Sequence, residues 1–345
     1  MSLSAVVLAA GKGTRMKSEL PKPLHDACGR SLLGWVVSSL DAARFPNVSI
    51  VVGHGKELVV ESLTSGFPSR EFVFAEQHSQ RGTGDATAVG LAELDVHDPS
   101  FSDDDHVVVL PGDTPLLQAD TVERLVDQHL QSGAAGTVVT ARLHDPTGYG
   151  RIVRGADGNS VRKIVEHRDC DADELRLNEI NGGMYCFRRS LLAPALRMID
   201  SNNAQGELYL TDVISVLVEA GHPVHPFVAD PVEISGVNDR AQLSDAANAI
   251  ATRIVRGHMR NGVSVIQPAS TVIEADVEIE PDATIHAGSV LQGGTFVGAG
   301  ATVGPNTHLV DAYVSTGATV PHSVIHGAHV ADGEMVAPFT HLTGD

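Results

Sequence analysis

From residue 273 an aliphatic side chain recurs at every sixth position: Ile273, Ile279, Ile285, Leu291, Val297, Val303 and Leu309. Small residues, Pro, Asp, Asn or Gly lie between them. A six-residue period is the mark of a parallel β-helix, in which each unit forms one face and its aliphatic side chain points into the coil. Three units close a turn, so the chain from 263 onward supplies four to five turns. The phase slips after Leu309 and returns at Val324, Val330 and Val336, which predicts irregular final turns. A coil of this kind exposes flat sides, and a homotrimer is the expected assembly.

The residues before it read differently. At 345 residues the chain exceeds the ~250–300 at which one hydrophobic core stops growing, so two domains are expected. Apolar strand-like runs at Ala5–Ala9, Val48–Val52, Glu71–Ala75, His106–Leu110, Gly136–Ala141 and Gly183–Phe187 alternate with helical spacing at Leu32–Ala43, Lys56–Ser62, Gly84–Leu94 and Asp120–Gln131. That alternation predicts an α/β domain with a mostly parallel sheet over 1–240. The stretch 99–105, with three consecutive aspartates, reads as an exposed loop. Leu243, Ala247, Ile250 and Ile254 step by four, three and four, which predicts a connecting helix over 241–262 before the repeat domain, 263–345.

Only five lysines occur, and Lys12, Lys17 and Lys22 fall with Arg15 inside eleven residues of a chain whose net charge is −19. The cluster follows a β-branched run, in the stretch LAAGKGTRMKSELPKPL from Leu8 to Leu24, and points to a polyphosphate site. Gly11 and Gly13 make neither a dinucleotide fingerprint, which needs glycine where Met16 stands, nor a P-loop. They offer a close-approach turn whose backbone N–H groups can face phosphate oxygens, or a bare strand-to-helix turn. Arg15 and Lys22 add a fork of donors and a point charge. Asp113 follows a buried strand through Pro111-Gly112, at the carboxyl end where open α/β sheets place ligands. A carboxylate beside phosphates calls for an intervening cation such as Mg²⁺; Asp-Thr-Pro is also an ordinary helix start.

The acidic balance excludes a general nucleic-acid-binding surface. No run of about 18 apolar residues exists and no leader is evident, so a cytoplasmic chain without a membrane partner is expected. Cys28, Cys170 and Cys186 lack zinc-site spacing and read as buried free thiols.

The stretches LAAGKGTRMKSELPKPLH (8–25), GTGDA (82–86), PGDTPLL (111–117), PTGYGRIV (146–153), IVEH (164–167), EING (179–182), NNAQGELYLTDVI (202–214) and GVNDR (236–240) together resemble the bacterial N-acetylglucosamine-1-phosphate uridylyltransferases. They stand in family order across the first 240 residues. The resemblance implies a Rossmann-like nucleotidyltransferase domain, a connecting helix and a left-handed β-helix. It implies that UTP and N-acetylglucosamine 1-phosphate give UDP-N-acetylglucosamine and pyrophosphate. Arg15, Lys22 and Asp113 become the catalytic residues, and Asp113 with Asn238 the Mg²⁺ ligands. Leu8, Ala9, Ala10, Gly11, Gly13, Lys22, Gln77, Gly82 and Thr83 become nucleotide contacts. Gly150, Glu166 and Asn181 become sugar-phosphate contacts, where a buried polar network is the plainer reading of the last two. Tyr209, Thr211 and Asp212 read as helix start and wall.

Members of the family carry a second activity, acetyl transfer from acetyl-CoA, in a longer β-helix. Thr343 stands where an arginine of that segment would align, and the activity is expected to be absent. Two alternatives share the residues: a nucleotidyltransferase for another sugar 1-phosphate or nucleotide, since Gly182-Gly183 departs from the expected pattern beside the sugar pocket, and a non-catalytic binding or scaffold protein. Arg15, Lys22, Asp113 and Asn238 argue against the last.

Overall fold

The structure is a computed structural model and describes residues 2–97, 102 and 105–344. The loop expected over 99–105 lies for the most part outside them. The chain divides into two compact units: Met1–His25 with Leu32–Arg240, and Asp26–Ser31 with Ala241–Asp345.

The first unit is built on one sheet. Its strands run, edge to edge, Val224–Val228, Gly136–Arg142, Glu179–Arg188, His106–Pro111, Leu3–Leu8, Asn47–Val52 and Val73–Glu76. Every pairing along this path is parallel except the two made by Glu179–Arg188. Both faces of the sheet are covered. Val7, Ile50 and Leu110 enter one apolar cluster and Val6, Val51 and Val109 the other. This explains why these strands read as continuous β-branched runs rather than alternating ones. Leu3–Leu8 lies between the strands that follow it in opposite directions across the sheet, which leaves a crevice outside its carboxyl end. Residues 8–13 enter that crevice.

Among the described residues of the first unit, three strands escaped the sequence reading. Arg151–Arg154 and Val161–Val165 pair with one another beside Glu179–Arg188. Val224–Val228 carries Pro226, tolerated because the strand is an edge paired only with Gly136–Arg142. Helices Arg189–Leu196 and Asp212–Glu219 were also not delimited. The strand expected at Gly183–Phe187 begins earlier, at Glu179, and shifts register between Asn181 and Tyr185. Gly183 has φ +72° there, and a Cβ on Gly182 would lie 3.0 Å from the Val139 carbonyl oxygen. The glycine pair therefore builds a bulge, which accounts for its unusual sequence.

In the second unit, helix Arg240–Arg260 buries Ala246, Ile250 and Val255. Of the expected stripe Ile250 is fully buried, and Leu243, Ala247 and Ile254 are partly buried. The repeat winds into three parallel sheets of four, five and four short strands. Ile273, Leu291, Leu309, Ile325 and Leu342 stand in register on one of them. Ile273, Ile285, Leu291, Val297, Val303 and Leu309 are wholly buried, whereas Ile279 is only partly so. Val324 does not carry the period: it is 41 % exposed, and Ile325 points inward in its place. The step from Leu309 to Val314, the next inward residue, is five, so the corner is one residue shorter and the phase moves. Val330 and Val336 are buried as expected.

The hairpin Asp26–Ala27/Arg30–Ser31 clusters with this second unit, although the sequence reading placed it within 1–240. Arg30 pairs with Asp276, and the Cys28 carbonyl oxygen accepts from Ala275 N–H. Of the three free cysteines only Cys186 is buried; Cys28, in the hairpin turn, and Cys170, just after a turn, are half-buried. Burial pushes the Cys28 thiol up to about 11, helped by Asp26 and Glu274.

Candidate active site

The crevice holds two adjoining cavities. The larger, about 420 Å³, is lined at one end by Leu8, Ala10, Gly11, Gln77, Gly82 and Thr83, and at the other by Glu166 and Asn181. The smaller, about 220 Å³, is lined by Ala9, Gly13, Arg15 and Lys22 among others. Leu8, Gly11 and Asp113 border both. Gly150 and Asn238 line neither.

Each residue is held there by local structure. Leu8 ends its strand and its carbonyl oxygen accepts from Gly112 N–H at 2.9 Å, which sets Asp113 beside the glycine loop. Arg15 and Lys22 ride on two short 3₁₀ turns, Thr14–Met16 and Lys22–Leu24. Gly13 has φ +59°, and a Cβ there would meet the Lys22 Cβ at 2.4 Å, so the lysine stem lies directly on a glycine. Gln77 is buried after the strand Val73–Glu76 and donates to the Gly82 carbonyl oxygen at 3.2 Å and to Asp85 Oδ2 at 2.8 Å. Its amide hydrogens are thereby used, and its carbonyl oxygen is left as an acceptor. Thr83 opens the helix Thr83–His97 and accepts from Leu210 N–H at 3.0 Å.

At the other end, Asn181 donates from Nδ2 to the Tyr185 hydroxyl at 2.7 Å and accepts from Gly183 N–H at 3.0 Å. The bulge thus fixes its side chain. Asn181 N–H donates to the Gly150 carbonyl oxygen at 2.9 Å. A Cβ on Gly150 would lie 3.5 Å from both Glu166 carboxylate oxygens; Gly150 shapes the wall behind Glu166. Burial raises the Glu166 carboxyl above its ordinary range; the Thr211 hydroxyl, donating at 3.3 Å, opposes this, and Asp212 and Asp169 add to it.

Asp113, Asn238 and the two cations meet at the smaller cavity. Lys22 Nζ pairs with Asp113 Oδ2 and donates to Asn238 Oδ1 at 2.9 Å; Arg15 Nη2 donates to the same amide oxygen at 2.9 Å. One carboxylate and one amide oxygen converge on a single positive charge. Hard oxygen donors of this kind suit Mg²⁺, which takes one or two protein ligands and completes its shell with water and phosphate. Among the described residues no group of three or more His, Cys, Asp or Glu could hold a metal ion by itself.

The structure adds lining residues that sequence reasoning did not assign. Gln80 donates to the Ala10 carbonyl oxygen at 2.7 Å and steadies the glycine loop. Tyr185 and Glu207 border the larger cavity. Thr211, read as wall, is the hydrogen-bond partner of Glu166. Its place in the LYLTD stretch was the available signal. Tyr185 gave none, because a tyrosine in a buried strand reads as core.

Comparison with known proteins identifies the family. Residues 5–231 match the MobA-like NTP transferase domain. The bifunctional protein GlmU of Streptomyces coelicolor is 44 % identical over 340 residues, covering 98 % of this chain and 69 % of that protein. Its namesake from Caldanaerobacter subterraneus subsp. tengcongensis is 41 % identical, covering 99 % and 72 %. That from Streptomyces avermitilis is 45 % identical, covering 98 % and 69 %. Among the described residues no helix is long and apolar enough to cross a membrane. A nucleotidyltransferase fold with its ligand crevice at the switch of strand order, and a parallel β-helix after it, place this chain in the GlmU family.

Proposed function

We propose that the chain transfers a uridylyl group from UTP to N-acetylglucosamine 1-phosphate, releasing pyrophosphate, with Mg²⁺ held by Asp113 and Asn238. The observation that supports this most is the position of Asp113 on the border of both cavities, the larger of which is also lined by Gln77, Thr83, Glu166 and Asn181. The Gln77 carbonyl oxygen suits the N3–H of uracil, and Leu8, Ala10, Gly11, Gly82 and Thr83 line the rest of that end. Glu166 and Asn181 suit the hydroxyl and acetamido groups of the sugar.

A sugar phosphate is already ionised near pH 7. Its phosphate oxygen attacks the α-phosphorus, a P–O bond forms, and the bond to the β-phosphate breaks with pyrophosphate leaving. No protein base is needed. What the chain must do is hold two polyanions in line and offset the charge that moves onto the leaving group. Arg15 and Lys22, on the loop beside Asp113, supply that charge. When bound, Mg²⁺ would neutralise phosphate oxygens between the two substrates.

The test is pyrophosphate release with Mg²⁺ from a panel of UTP, dTTP and other nucleotides against several sugar 1-phosphates. Preference for UTP with N-acetylglucosamine 1-phosphate supports the reading; preference for another pair corrects the substrate, and no release from any pair overturns it. Thr211→Val should raise KM for the sugar phosphate about 3–10-fold with little change in KM for UTP, because it removes the Glu166 partner and not the uracil end. Equal change in both would separate Thr211 from the sugar pocket.

We further propose a homotrimer assembled through the β-helix. Val272, Tyr313 and Val324 are 40–49 % exposed on its flat faces, and Phe296 stacks on Tyr313 with ring centroids 4.6 Å apart. Light scattering is expected to give the mass of three 36.2 kDa chains; a single-chain mass would remove the proposal.

A further inference from the structure

We infer that Lys22 and a divalent cation compete for one position, so that Lys22 holds the metal ligands together when no metal is bound and must turn away when it binds. The inference rests on Asp113 and Asn238 being the ligands, as proposed above. Both oxygens contact the same ammonium, Asp113 Oδ2 as an ion pair and Asn238 Oδ1 at 2.9 Å. A Mg²⁺ or Mn²⁺ ion bound by these two oxygens would need the space the ammonium fills. A doubly charged ion and an ammonium about 3 Å apart repel one another strongly.

The ammonium has a place to go. Its stem is seated against Gly13, and its four-carbon length lets the head rotate while the stem stays in place. The 220 Å³ cavity bordered by Gly11, Gly13 and Arg15 lies on the same side. Phosphate oxygens there would receive the released charge. Arg15 differs: its guanidinium donates to Asn238 Oδ1, whereas the Lys22 ammonium also pairs with Asp113. Lys22 is thus a stand-in cation in the resting enzyme and a phosphate ligand in the loaded one. Metal and nucleotide then favour one another, because the nucleotide stabilises the lysine position that metal binding requires.

The test uses Mn²⁺ alone, titrated into the full chain without nucleotide, with free Mn²⁺ read by electron paramagnetic resonance. Lys22→Met and Lys22→Gln should each bind about tenfold more tightly than the unsubstituted protein. Arg15→Met, which removes a charge of the same sign from the same loop, should stay within about twofold. Adding Asp113→Asn to Lys22→Met should abolish the gain. Unchanged or weaker binding by both Lys22 variants overturns the inference, as does an equal gain in Arg15→Met, which would reduce the effect to net charge. The failures are separable: an enzyme that releases pyrophosphate but shows no Lys22 effect refutes only this inference. Tighter Mn²⁺ binding in a protein that releases none refutes only the uridylyltransferase reading.

Discussion

Asp113→Ala is expected to lower the turnover number for pyrophosphate release by about 10³-fold, a loss that added Mg²⁺ does not restore. Among the described residues Asp113 is the one carboxylate that borders both cavities, and its removal leaves Asn238 as the sole proposed metal ligand. Arg15 and Lys22 would then face two polyanions with nothing to order them. The fold should tolerate the change. The Asp113 side chain is 25 % exposed and its ion-pair partner Lys22 keeps the Asn238 contact. The backbone contact from Val237 N–H to the Asp113 carbonyl oxygen does not involve the side chain. The thermal midpoint should therefore stay within about 3 °C. Asp113→Asn keeps an oxygen and loses the charge, and should fall between. Steady-state pyrophosphate release over a Mg²⁺ series decides the matter, and turnover equal to that of the unsubstituted chain would take Asp113 out of the reaction.

The β-helix was legible because its signal is simple: one aliphatic residue every six, each wholly buried at Ile273, Leu291 and Leu309. The reading failed where two aliphatic residues are adjacent. At Val324-Ile325 period alone does not choose the inward one, and the short corner after Leu309 had already moved the phase. The α/β sheet was legible in its central strands, which are apolar on both faces. It was not legible at Arg151–Arg154 or Val161–Val165, where charged residues interrupt short strands, nor at Pro226. The candidate site was legible only in pieces. Lys22 and Asn238 are 216 positions apart, and Lys22 and Asp113 are 91 apart. No spacing rule joins such residues; the family resemblance named them and the fold brings them together. The Lys22 bridge was legible in neither the spacing nor the resemblance, because it depends on the stem of one side chain lying over Gly13.

A second large effect is expected in stability against pH, at the other end of the strand that leads to Asp113. His106 Nδ1 lies 2.9 Å from His129 Nε2, and His129 Nδ1 lies 2.9 Å from Thr137 Oγ1. Two imidazoliums would present donors to one another, so the pair requires a neutral ring. Burial first, then His106 and Arg188, push His129 down to about 4; burial and then Arg188 also lower His106. An unfolded histidine titrates near 6.5. As pH falls from about 6.5 towards 4, the unfolded chain takes a proton that the folded ring refuses, and the fold loses stability, about 2 kcal/mol by pH 5 for His129. Asp212 acts in the opposite sense. Burial, then Asp200 and Asp169, raise it to about 6, so the folded state holds a proton more readily and gains stability as pH falls from about 6 towards 4. The raised Glu166 carboxyl adds to this gain. The unsubstituted profile is thus a partial cancellation, and the difference between variants carries the information. In denaturant unfolding, His129→Gln should be less stable than the parent by about 1 kcal/mol at pH 7.5, where only hydrogen bonds are lost. Its disadvantage should vanish or reverse by pH 5, since glutamine does not titrate. Asp212→Asn should remove the gain at low pH and leave the parent's His129 loss uncovered. A His129→Gln difference constant from pH 7.5 to 5 would show that the ring protonates as freely in the folded chain as in the unfolded one.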